Sequence, residues 1–144
     1  MIAHAGLIAR RIGGRWRGVL IEGPSGAGKS DLALRALDHG FRLVADDRVI
    51  LWTCEGRLFG RAPGALHGLI EVRGVDVMGE PALDLCEVAM VAAPGAPERL
   101  PEPETVDRLG LRLPLCVLAY DEASTPAKLG RALSALYVAN QRRM

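Results

Sequence analysis

Lysine is nearly absent from this 144-residue chain: Lys29 and Lys128 are the two lysines among 18 basic residues. The plain reading of the arginine excess is genome composition. Cysteine is scarce as well. Cys54, Cys86 and Cys116 are odd in number, widely spaced and set in apolar runs, which suits buried thiols in a reducing cytoplasm rather than disulfides or a metal site. Aromatic residues make up 4%, and neither Trp16 nor Trp52 has a stacking partner at useful sequence spacing. Charge of one sign is lacking too. A net charge of +1 gives no argument for a nucleic-acid partner or an acidic membrane, and the terminal arginines (Arg10, Arg11, Arg15, Arg17, Arg142, Arg143) read as solvated surface. No apolar run approaches the ~18 residues of a membrane span, and the N-terminus lacks a signal-peptide core. What is present is an ordinary globular profile, 49% hydrophobic and 24% charged. The length suits one domain over residues 1–144 with its own core.

Against this background one segment stands out. Gly23-Pro24-Ser25-Gly26-Ala27-Gly28-Lys29-Ser30 fits G-x-x-x-x-G-K-[ST], the phosphate-binding P-loop. Glycines let the backbone wrap phosphate oxygens with its N–H groups pointing inward. Lys29 is the candidate for the β- and γ-phosphates, and the Ser30 hydroxyl for Mg²⁺. A Gly-rich turn could match by chance, but the flanks agree with the motif. Gly18–Glu22 reads as a buried strand. Asp31–His39 reads as a helix with Leu32, Ala33, Ala36 and Leu37 on one face and Gly40 at its C-terminal end. Strand, glycine loop and helix together place a helix N-terminus at the phosphate site.

The rest of the chain reads as α/β, a P-loop NTPase-like domain with a mixed sheet, several antiparallel strands and flanking helices. Residues 2–11 and 15–22 form a hairpin over Ile12-Gly13-Gly14. A strand over 41–45 ends in Asp46-Asp47. Residues 48–54 and 57–60 form a second hairpin around Glu55-Gly56, and 63–68 is a helical turn. Residues 70–77 are strand-like with a glycine interruption, 83–92 an apolar strand, and 93–104 a mobile loop. The last strand, 111–119, is broken by Pro114. A final helix opens at Ser124-Thr125-Pro126, with Leu129, Leu133, Leu136 and Tyr137 as an apolar stripe for the core or a subunit contact.

Asp46 and Asp47 form the second constellation. A P-loop enzyme places a carboxylate at a strand end near the metal. Two adjacent carboxylates suit a division of roles, one orienting the metal and the other handling a proton. An Asp-Asp turn is the plainer alternative.

Taken in order, four segments make the chain resemble the catalytic domain of the HPr kinase/phosphorylase family. They are Ala3-His4-Ala5-Gly6, the P-loop with its preceding strand and Asp31, Gly40 through Asp47, and Gly68-Leu69-Ile70-Glu71-Val72-Arg73-Gly74-Val75. A fifth, Asp107 to Leu111, is weaker. The resemblance implies an ATP- and Mg²⁺-dependent kinase of a seryl side chain on HPr or an HPr-like phosphocarrier. It also implies the reverse phosphorolysis to pyrophosphate, a cytoplasmic setting and a hexameric homo-oligomer. Asp47 would be the base, His4 its neighbour, Ser30 and Glu71 the Mg²⁺ ligands, and Arg73 and Arg108 charge stabilisers on the transferred phosphoryl group. Asp46, Arg73 and the loop residues 23–30 would hold nucleotide. Taken singly, His4 reads equally as a strand-surface histidine, Glu71 and Arg73 as a same-face ion pair, and Arg108 as a surface residue. His39 and His67 read as structural.

Two features depart from the family. The chain starts almost at the catalytic domain, like the family's short forms. The family's C-terminal Pro-Gly-Arg-Asn segment is replaced by Glu122 to Leu129. Two other readings share the P-loop: a small-molecule kinase and a non-catalytic ATP sensor.

Overall fold

The computed structural model describes residues 1–138. Its frame is a mixed sheet that forks. β2 (Gly6–Ile12) and β3 (Arg15–Ile21) are antiparallel, Gly6 opposite Ile21 and Ile12 opposite Arg15, across the tight turn Gly13-Gly14. Both glycines have positive φ, 61° and 78°, as the favoured two-residue hairpin turns require. β4 (Arg42–Ala45) lies antiparallel on the outer edge of β2. On its other side β3 pairs in parallel with β9 (Cys86–Pro94).

At β9 the sheet divides. Its beginning, Cys86 and Glu87, pairs with β6 (Arg57–Arg61), which hairpins with β5 (Val49–Cys54). Its end, Val91–Pro94, pairs in parallel with β11 (Leu111–Leu118), which hairpins with β10 (Glu104–Arg108). One edge therefore serves two partners, and the sheet curls to allow it. β1 (Ile2–Ala3) closes the far side against β5.

Both faces of the central strands are covered, so their side chains are apolar in succession rather than alternating with polar ones. Ile8, Val19, Ile21, Met90 and Ala92 face one cluster with Leu32, Ala33 and Ala36 of α1 (Lys29–Leu37) and Leu129 and Leu133 of α2 (Thr125–Ala135). Leu7, Ala9, Leu20, Val88 and Val91 face a second cluster inside the curl, with Leu51 and Leu58. A methyl on Gly18 would lie 2.7 Å from both Cys86 Sγ and the Glu87 carbonyl, so glycine here permits the close approach of β3 to β9.

Several sequence expectations change. The run 2–11 is two strands, because the chain breaks at His4-Ala5 and sends β1 to a different partner. Residues 70–77 are not one strand but the hairpin of β7 (Leu69–Val72) and β8 (Asp76–Gly79), turning at Arg73–Val75. β10 begins where a loop is expected. Pro114 does not break β11, since it precedes the stretch that pairs with β9. Cys54 is exposed and Cys116 half-buried; Cys86 alone of the three is buried. Trp52 does stack, on Phe59 with ring centroids 5.9 Å apart, and Trp16 lies under Arg42. Of the final stripe, Leu129 and Leu133 are core, whereas Tyr137 is exposed under the Arg17 guanidinium. Among the described residues no helix is long and apolar enough to cross a membrane.

Candidate active site

The site sits where parallel strands end. β3 and β9 run side by side, and the chain leaves β3 directly into the glycine loop. This is the crevice at the carboxyl ends of strands where open α/β sheets bind ligands. Gly26 and Gly28 hold left-handed φ of 84° and 94°, and a methyl on either would meet nothing within 4 Å. The cradle is therefore open. Gly28 caps α1 with no side-chain bond to its first turn, which leaves backbone donors facing that space.

Lys29 is the buried cation of the loop, 9% exposed. Its Nζ donates to the carbonyls of Gly23 (2.7 Å) and Pro24 (3.0 Å). Among the described residues no carboxylate forms an ion pair with it, so its charge is balanced by neutral oxygens alone. A bound anion would supply the missing negative charge.

The two aspartates diverge. Asp46 turns inward and is 7% exposed. Its Oδ1 accepts from Ser30 Oγ (2.7 Å) and its Oδ2 from the Glu71 N–H (3.0 Å), so it ties α1 to β7. Asp47 turns outward from a strained backbone, φ 68°, rare for a residue with a side chain. Its Oδ1 lies 2.7 Å from His4 Nε2, both side chains being about half exposed. His4 reaches it because the break between β1 and β2 lifts residue 4 out of the sheet.

One cleft unites most of the expected residues. It is lined by Ser25, Gly26, Gly28, Lys29 and Ser30 of the loop and helix start, by Asp31, and by His4, Asp47, Glu71 and Arg73. Glu71 is on β7 and Arg73 in the turn after it; both border the cleft, and no ion pair joins them among the described residues. Gly23 and Pro24 contribute through their carbonyls; Ala27 closes the loop by donating to Pro24 O at 3.0 Å. Arg108 is placed differently. It does not line the cleft, and its guanidinium is taken by Glu22. His39 bonds the Arg35 carbonyl and His67 pairs with Asp84, both away from the cleft. Glu22, Arg35 and Tyr120 were not singled out by sequence reasoning. The signal for Glu22 was its position, immediately before the first glycine of the motif.

The oxygen donors beside the loop, the Ser30 hydroxyl and the Asp46, Asp47 and Glu71 carboxylates, are hard ligands of the kind Mg²⁺ takes. Among the described residues no three His, Cys, Asp or Glu side chains are gathered as a ready metal cage.

Residues 12–82 match the family model described as HPr Serine kinase C-terminal domain. Over that stretch, just under half of its length, this chain resembles the family. Over 98 residues it is 37% identical to the HPr kinase/phosphorylase of Clostridium tetani, a match covering 65% of this chain and 32% of that protein. Over 66 residues it is 47% identical to the HPr kinase/phosphorylase of Clostridium acetobutylicum, covering 46% and 22%. The chain thus spans about a third or less of these curated relatives. The fold is shared with the solved Hpr(Ser) kinase/phosphatase from Coxiella burnetii, at TM-score 0.80 and 24% identity over 98% of this chain and 99% of that one.

Proposed function

We propose that this chain is a member of the HPr kinase/phosphorylase family, a P-loop NTPase-like phosphotransferase with a single domain over residues 1–144 that moves the γ-phosphoryl group of ATP to a serine of HPr or an HPr-like protein. One observation carries the reading. The His4–Asp47 pair and the buried Lys29 line one cleft, so a proton acceptor and a phosphate-binding cation border the same space.

Each residue has a role in this scheme. The backbone of residues 23–28 and the start of α1 cradle the phosphates. Lys29 meets the charge of the transferred group. Ser30 and Glu71 would hold Mg²⁺, with Asp46 orienting Ser30 through the bond already present. The ion would neutralise charge on the phosphate oxygens. Asp47 takes the proton from the acceptor serine, and His4 holds its carboxylate in place. Arg73, at the cleft edge, offers a further cation to the phosphates. In the reverse direction Asp47 returns the proton to the leaving serine oxygen as inorganic phosphate attacks, giving pyrophosphate. A homo-oligomer and a cytoplasmic setting belong to the same reading.

An acceptor screen tests it. With Mg·ATP as donor, HPr is expected to be phosphorylated in preference to small hydroxyl metabolites. A metabolite preferred to HPr would point to a small-molecule kinase. ATP binding without transfer to any acceptor would point to a sensor.

A further inference from the structure

Glu22 ends the strand that feeds the glycine loop, and it is gripped from three directions. Its N–H donates to the Ala92 carbonyl of β9 (2.9 Å). Its carbonyl accepts from Tyr120 Oη (2.7 Å). Its carboxylate takes a two-pronged bond from Arg108 at the end of β10, Nε to Oε2 at 2.8 Å and Nη2 to Oε1 at 2.5 Å. The remaining guanidinium nitrogen, Nη1, donates to the Asp107 carbonyl (2.7 Å). Every nitrogen of Arg108 is thus engaged, and the fork sets orientation as well as distance. The side chains of Arg108 and Glu22 are 29% and 24% exposed, so the pair is partly shielded from water.

The neighbouring residues give this grip a consequence. Gly23 and Pro24, whose carbonyls aim Lys29 Nζ, follow Glu22 directly. Tyr120 is itself held: Arg35 of α1 donates to its carbonyl, and to that of Glu122 at 2.9 Å. The loop entry is therefore tied to α1, β9, β10 and the segment after β11 through one residue. Arg108 and Tyr120 are donors through neutral pH in any case; the bonds to Glu22 raise the guanidinium further and burial raises the phenol.

We propose that Arg108 acts through Glu22, as a brace that together with Tyr120 positions the glycine loop for nucleotide, rather than by touching the transferred phosphoryl group. The proposal rests on the reading of residues 23–30 as a nucleotide site. It makes Arg108, Glu22 and Tyr120 positioning residues.

A double-mutant cycle decides. Kd for Mg·ATP and single-turnover transfer at saturating nucleotide are measured for the full chain and for Glu22→Gln, Arg108→Ala and the double variant. Tyr120→Phe and Arg108→Lys serve as milder probes, with thermal unfolding to establish that each is folded. Each single variant is expected to weaken Mg·ATP binding on the order of tenfold, with the double variant no worse than the weaker single one. Tyr120→Phe is expected to raise Kd with little change in saturated rate, and Arg108→Lys to recover part of the binding. Independent, multiplying losses would overturn the brace, as would a saturated rate on the order of 10² lower in Arg108→Ala with Kd unchanged, the pattern of a group acting in the transition state. Variants indistinguishable from wild type would also overturn it. A wild-type chain that binds no Mg·ATP would instead overturn the nucleotide reading, and the brace with it.

Discussion

Changing Asp47 to asparagine removes the carboxylate and leaves the rest of the local structure in place. The residue sits at φ 68°, a left-handed conformation that asparagine tolerates among the best of non-glycine residues. The amide oxygen still accepts from His4. Both partners are about half exposed, so the contact is worth no more than about 1 kcal/mol to the fold. For a domain of this size that moves Tm by no more than about 5 °C. The lost chemistry is larger. A positioned general base contributes on the order of 10²–10⁴ in rate, which is about 2.7–5.5 kcal/mol on the barrier. Asp46 is poorly placed to substitute, because Ser30 and the Glu71 N–H occupy its two oxygens. The assay combines thermal unfolding, an ATP titration and single-turnover transfer to HPr. Asp47→Asn is expected to hold its Tm within about 5 °C of wild type, keep its ATP affinity and lose transfer by that factor. A rate within tenfold of wild type would refute the assignment of Asp47, and so would a loss of ATP binding large enough to account for the whole effect.

Other expectations follow from single features. Lys29→Ala removes the one buried cation of the loop and strands the Gly23 and Pro24 carbonyls, so both ATP binding (by calorimetry) and transfer should fall. Gly18→Ala drives a methyl against Cys86 Sγ and the fixed Glu87 carbonyl, and denaturant unfolding should show a loss of about 1–3 kcal/mol. Cys54 should react with a thiol reagent in the native protein and Cys86 only on unfolding, which peptide mapping after labelling reads directly. Burial first, and the charge of Glu87 second, push the Cys86 thiol from 9.0 up to about 12. The stability it contributes is complete below pH 9.0 and lost as pH rises towards that value; a melting series over this range should fall more steeply for wild type than for Cys86→Ala.

What the sequence made legible follows from how local each signal is. The glycine loop, its strand and α1 announce themselves through a motif and adjacent periodicity, and Gly13-Gly14 marks a hairpin because a tight turn needs positive φ. The break at His4-Ala5 was hidden inside an apolar run, since a change of strand partner leaves no mark on hydrophobicity. β10 was missed because Glu104–Arg108 is polar and largely exposed, held by backbone pairing to β11 instead of a buried face. The stacking of Trp52 on Phe59 depends on the register of β5 and β6, which places residues seven apart in sequence directly opposite each other. In the candidate site the residue types were readable, but not the division between an inward Asp46 and an outward Asp47. Nor was the engagement of Arg108 by Glu22, 86 residues apart in the chain.

The most direct test of the whole account follows γ-labelled phosphate from Mg·ATP onto HPr from the same organism, and then adds excess inorganic phosphate. Label recovered as phosphoserine, then lost with release of pyrophosphate, is the predicted result. ATP bound tightly with no label on any serine of HPr would contradict the account.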